Sequence, residues 1–167
     1  MIKYSSIIRQ FPGLEPGEYK FVQNSERNNG NCIALSLNIP SPWIWPTAKG
    51  YVPSIDSTIA SEFWPRNLSN DYTLDNFLEM YKLFGFQQTD EEGYEEGYWK
   101  NALYGHDENN ITHAAHLLKD GTFVKGPLLI HQPKAIEGDV YGHIITYVKR
   151  VLPLNKKEFL NTIIANS

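Results

Sequence analysis

The sequence predicts an α+β domain in which helices come first and an antiparallel sheet second, and two changes along the chain carry that reading. Apolar residues recur at helical spacing through Leu74, Phe77, Leu78, Tyr81 and Phe84, and then alternate with a period of two between Ile111 and Leu118. The Asp120-Gly121 pair that follows is a hairpin signal, so Thr122-Phe123-Val124 is expected to return antiparallel. With 167 residues, 41% of them hydrophobic and 20% charged, the chain can bury one core, and residues 1–167 are read as a single domain.

Each element has a local reason. Residues 24–31 form a polar tract with Gly30 near its end and read as a surface loop that delivers the chain to Cys32. The run Cys32-Ile33-Ala34-Leu35-Ser36-Leu37, closed by Pro40 and Pro42, is compatible with about two helical turns beginning at the cysteine, although a short strand carries the same apolar pattern. Residues 40–65 hold Trp43, Trp45 and Trp64 among repeated Pro and Gly, which predicts a long packed loop. The clearest helix covers residues 73–84, with Gly85 placed for a left-handed cap; Phe77 and Tyr81 are expected to be buried scaffold, away from any site. Residues 98–104 read as a strand or a helical turn, and residues 128–130 and 141–148 as further strands. Asn155-Lys156-Lys157-Glu158 resembles a capped helix start, with Phe159, Leu160 and Ile163 as its buried side.

Composition removes several functions. The 15 Lys plus Arg against 19 Asp plus Glu leave a net charge of -4, opposite in sign to the basic footprint that phosphate backbones require, so nucleic acid is not an expected partner. No window approaches the roughly 18 apolar residues of a membrane span, and the first ten residues lack the apolar run of a signal peptide. A cytoplasmic protein with no membrane partner is expected, with export by a machine that reads no cleavable signal left open. Asp90-Glu91-Glu92 and Glu95-Glu96 lack the alternating ligand spacing of a calcium loop and read as a solvated acidic segment. His113 and His116 fall on opposite faces of a strand with no Glu between them, so neither a metal nor any other cofactor is expected.

The chemistry rests on one thiol. Cys32 is the single cysteine, which excludes an internal disulfide and a multi-Cys zinc site. A cysteine at a helix start is favoured as thiolate by the unpaired backbone N–H groups, and a neighbouring imidazole completes its activation. His113, on the predicted strand, is the candidate partner; a small buried core residue is the competing role for Cys32.

The order of Asn31-Cys32-Ile33-Ala34 and then His113-Ala114-Ala115-His116-Leu117-Leu118-Lys119-Asp120-Gly121-Thr122-Phe123-Val124-Lys125 resembles that of the papain-like cysteine hydrolases, specifically the NlpC-type cell-wall endopeptidases and amidases. The whole chain also resembles an uncharacterised family of short bacterial proteins sharing the cysteine, the Trp-Pro segments, the His-Ala-Ala strand and the Tyr-Gly strand, a likeness that implies no activity. The first resemblance implies a papain-like fold with Cys32 as nucleophile, His113 as general base and the orienter of the imidazole at Lys125. A lysine departs from the pattern there, because it can only donate, and His131 is the alternative orienter. If Lys119-Asp120-Gly121 is a three-residue loop with Gly121 left-handed, Ala115 pairs with Lys125, which then shares the His113 face; a two-residue turn pairs Lys125 with His116 instead. Asn31 is a candidate oxyanion donor, and Trp43 and Trp45 are candidate groove residues, with stapling of the loop to the core as their other use.

The implied function is hydrolysis of an amide, in a peptide or small molecule, through a Cys32 acyl-enzyme, with bacterial cell-wall peptide as the inherited substrate. From a different class, a catalytically silent module of the same fold would hold a protein partner through the Trp-rich loop.

Overall fold

In chain order the elements are β1 (Tyr19–Phe21), α1 (Cys32–Ser36), β2 (Trp43–Ile44), β3 (Glu62–Phe63), α2 (Leu74–Leu83), β4 (Gln87–Thr89), β5 (Tyr98–Asp107), β6 (Asn110–Leu117), β7 (Phe123–Lys125), β8 (Leu129–His131), β9 (His143–Val151) and α3 (Lys156–Ala165). They belong to a computed structural model that describes residues 11, 19–21, 30–46, 62–125, 129–131, 136–138 and 140–167. The class is α+β, as predicted. Among the described residues the first element is β1, which pairs with β8, and the last is α3; the chain ahead of β1, on which a helix-first order turns, lies outside the described residues apart from Phe11. Among the described residues no helix is long and apolar enough to cross a membrane.

Among the described residues seven strands pair in the order β1-β8-β7-β6-β5-β9-β4, every neighbouring pair antiparallel. The β6–β7 turn is the three-residue loop: Gly121 N–H donates to the Leu118 carbonyl, Leu118 N–H to the Thr122 carbonyl, and Gly121 sits at φ 87°. Such a loop suits the twist of a hairpin, with glycine at the left-handed position, a backbone conformation that residues bearing a side chain rarely adopt. Residues 98–104 are strand, not helical turn, and continue to Asp107. In the Trp-rich segment, residues 47–61 lie outside the described residues; the remainder is not all loop, because Trp43 pairs with Glu62 and Ile44 with Phe63 in a short parallel ladder.

Helix α2 forms where its stripe predicts. Thr73 caps it by accepting from Asn76 N–H, and Gly85 at φ 80° ends it. Gly85 N–H donates to the Lys82 carbonyl and Phe86 N–H to the Tyr81 carbonyl, the paired bonds of a Schellman cap, with the Phe86 and Tyr81 rings 5.5 Å apart across it. Leu74, Phe77, Met80, Tyr81 and Phe84 are buried. Helix α3 starts at the Asn155 cap and buries Phe159 and Ile163, but Leu160 is exposed, because it lies one position round the helix from the buried pair. Arg150 of β9 joins the two helices, donating to the Phe84 carbonyl and to Glu158. Part of the acidic segment is also paired, since Glu95 accepts from Lys149 at 2.8 Å.

The sheet is covered on both faces. On one side α1, α2 and α3 pack over Leu103, Ala114 and Val148; on the other lie Phe11, Ala102, Tyr104, Ala115, Phe123 and Ile136. The alternation in β6 therefore does not separate a wet face from a dry one: Ala114 and Ala115 are both buried.

Candidate active site

Helix α1 is short, and its neighbours hold it at both ends. Asn31 caps it, with Oδ1 accepting from the N–H groups of Ala34 and Ile44, each at 3.2 Å, while Nδ2 donates to the Ile44 carbonyl at 2.7 Å. One side chain thus ties the Cys32 turn to the Trp43–Trp45 segment. Asn31, expected as an oxyanion donor, commits one of its two amide N–H groups to this strap. At the other end the Ser36 carbonyl accepts from Trp99 Nε1 at 2.7 Å and from Asn101 Nδ2 at 2.9 Å, both on β5. Ser36 Oγ donates to the Ile33 carbonyl and so accepts from the Tyr81 hydroxyl, 2.6 Å away on α2.

That bond corrects the expectation that α2 lies away from the site. Tyr81 is fully buried, and its hydroxyl is pushed well above the ordinary tyrosine range, first by burial and further by negative charge on Cys32. Phe77 meets the Trp45 ring edge-on at 5.5 Å, so α2 also braces the wall on which Trp45 sits.

His113 reaches the same place through a bulge. Tyr104 pairs with His113 and Gly105 with Ile111, which leaves Thr112 as the extra residue on β6 and re-aims the strand there. His113 is only 3% exposed. The Tyr141 ring stacks on its imidazole at 4.2 Å with planes 8° apart, and the Tyr104 ring lies 5.6 Å away. Thr112 Oγ1 donates to the Tyr141 carbonyl at 2.6 Å, fastening that turn beside the bulge. Tyr141 precedes β9, whose first residue is His143, two positions later than the predicted strand start. The turn needs Gly142: its φ is 75°, and a Cβ there would come within 2.1 Å of the Gly105 oxygen.

Cys32 and His113 line one cavity of about 350 Å³, together with Asn31, Trp43, Trp45, Thr112 and Tyr141. The Tyr141 hydroxyl is pushed up to about 12 by burial and then by negative charge on Cys32, which places the thiol within electrostatic reach of the ring that covers His113. A larger groove of about 660 Å³ runs along α3, and its described lining, including Asn155, Lys157, Glu158, Thr162 and Asn166, holds no cysteine or histidine. Of these two, the smaller is the one that brings a cysteine and a histidine together. Among the described residues no group of three or more His, Cys, Asp or Glu side chains is arranged to hold a metal ion.

Lys125 and His131, the two expected orienters, are placed by backbone register. Leu117 pairs with Phe123 and His116 with Val124, which puts Lys125 next in line, at the position opposite Ala115, one pleat from His113. His131 pairs with Phe123 and with Tyr19, a further row along. The described contact on the His113 ring face is instead Tyr141, which sequence reasoning read only as part of a strand. The Trp residues divide: Trp64 is buried and donates to the Ser69 carbonyl, Trp99 staples α1, Trp45 is half-buried against Phe77 and Tyr72, and Trp43 is 46% exposed at the cavity.

Residues 21–149 match the family described as a domain of unknown function, DUF7689. The chain belongs to the DUF7689 family. Its match spans every element from the end of β1 through most of β9, and so includes Cys32, His113 and Tyr141. No curated protein and no solved structure matches this DUF7689 chain.

His116 stands apart from the cavity. Its ring stacks on Trp99 at 3.6 Å and its Nδ1 lies 3.0 Å from the Lys100 carbonyl. Burial lowers its pKa to about 4, the Lys100 carbonyl acting in the opposite sense. The unfolded chain, with an ordinary histidine near 6.5, therefore takes up the proton first, so this contribution is present in full above about pH 6.5 and is lost as pH falls toward 4, at up to about 1.4 kcal/mol per unit. Denaturant melts at pH 7 and pH 4.5 should show a larger acid loss in the wild type than in His116→Asn; equal losses would contradict the assignment.

Proposed function

We propose that this DUF7689 domain is a cysteine hydrolase with a papain-like arrangement, cleaving an amide bond in a peptide or small molecule. The observation that carries the proposal is that Cys32, at the start of α1, and His113, at the β6 bulge, line one cavity. His113 takes the thiol proton, and the Cys32 sulfur attacks the amide carbonyl to form a C–S bond. As the C–N bond breaks, the amine leaves with the proton held by His113. Water then gives a proton to His113 and attacks the acyl carbon; the C–S bond breaks, the carboxylic acid departs, and the proton returns to sulfur.

Tyr141 is the positioning residue in this scheme. Its ring restricts rotation of the imidazole by stacking, and Thr112 holds its backbone. Tyr141→Phe keeps the stack and should retain activity within about 3-fold, whereas Tyr141→Ala should lose about 10-fold in kcat, as expected from a contact of roughly 0.5 to 1.5 kcal/mol. Equal losses in the two variants would assign the role to the hydroxyl instead.

The direct test is intact-mass measurement during turnover of peptide p-nitroanilides and activated esters. An acyl adduct on Cys32 that forms and decays, and is absent in Cys32→Ala, supports the proposal; absence of both adduct and product across the panel contradicts it. The exposure of Trp43 at the cavity favours a second reading, a silent module that seats a protein partner on that ring.

A further inference from the structure

The walls of the cavity are more specific than its catalytic pair. Trp45 is held between Phe77 at 5.5 Å and Tyr72 at 5.9 Å, and its backbone N–H donates to the Phe63 carbonyl. Trp43 is fixed in the β2–β3 ladder yet leaves 46% of its surface open, so an indole face is available without reorganising the chain. Tyr141 supplies a third ring and stays protonated at neutral pH. The polar members already have work: Thr112 Oγ1 donates to the Tyr141 carbonyl, and Asn31 straps Ile44. No Asp, Glu, Lys or Arg is among the described residues lining the cavity.

We propose that the group seated beside Cys32 is uncharged and carries a flat or branched apolar face, so that the substrate is an amide with an aromatic or bulky alkyl substituent rather than one bearing a carboxylate or an ammonium group. This rests on the reading of Cys32 and His113 as nucleophile and base. Beyond the catalytic pair itself, a charged group entering here would shed water without a described counter-charge to replace it, whereas a ring gains a stacking partner from each indole. At about 350 Å³ the cavity is near the lower end of small-ligand sites, which suits one such group rather than an extended chain.

The test uses the full chain and four alkylating amides: chloroacetamide, N-benzylchloroacetamide, chloroacetylglycine and N-(2-aminoethyl)chloroacetamide. In each case the Cys32 sulfur forms a bond to the methylene carbon as chloride leaves, and rates are normalised to those with N-acetylcysteine. The benzyl probe should label at least about 10-fold faster than either charged probe, and Trp43→Ala, a change at an open position, should reduce that ratio by about 3-fold or more. Slow labelling by both charged probes separates the effect from the net negative charge of the chain. A ratio near one, or preference for a charged probe, overturns the substrate class. Chloroacetamide itself reports the pair: labelling that is indifferent to His113→Gln overturns the nucleophile–base reading, while the ratio alone decides the substrate class.

Discussion

His113→Gln is expected to slow amide hydrolysis by about 10²- to 10⁴-fold, the range that a positioned general base contributes. Glutamine keeps much of the ring's volume and polarity, which matters because His113 is buried against Tyr141 and Tyr104, and alanine would also open a void there. The loss should fall on kcat, since the proton is moved in the transition state, with KM changing little. Melting of the variant close to the wild type, together with the activity loss, would separate chemistry from folding. Retention of activity within about 3-fold would remove His113 from the reaction.

Phe77→Ala should destabilise the fold by about 3 to 5 kcal/mol, the usual range for a fully buried phenylalanine. The ring is 0% exposed and meets Trp45 and Trp64 edge-on at 5.5 and 5.3 Å, so its removal leaves a void between α2 and the Trp-bearing segments. Because Trp45 lines the cavity, substrate binding should weaken even under conditions where the variant remains folded. Denaturant melts by circular dichroism measure the first effect and KM the second; a stability loss under 1 kcal/mol would mean that this stripe is not a core face.

Helix α2 was legible because its apolar stripe, Thr73 cap and Gly85 stop all lie within one local window, and the β6–β7 hairpin because Gly121 fits the left-handed position its loop requires. Cys32 and His113 were legible as candidates through residue type and order. What stayed hidden depends on contacts between distant segments. The Thr112 bulge interrupts a stretch whose alternation reads as unbroken, and whether a strand bulges depends on its partner, here Gly105. Tyr141 comes to His113 across a turn that exists because Gly142 approaches the Gly105 backbone, and no local pattern reports that approach. Tyr81 sits on the predicted core stripe, but its bond to Ser36 appears only once α1 has docked. The two-residue strands β2 and β3 are too short for any period to register.

The measurement that bears most directly on the account is the rate of Cys32 alkylation by iodoacetamide as a function of pH, in the wild type and in His113→Gln. A thiol activated by an imidazole should show a midpoint clearly below the value of about 8.5 for a free cysteine, and loss of the imidazole should move that midpoint up by a pH unit or more. A wild-type midpoint at or above about 8.5 that is unchanged in His113→Gln would make Cys32 an inert core thiol and leave the cavity to a binding role.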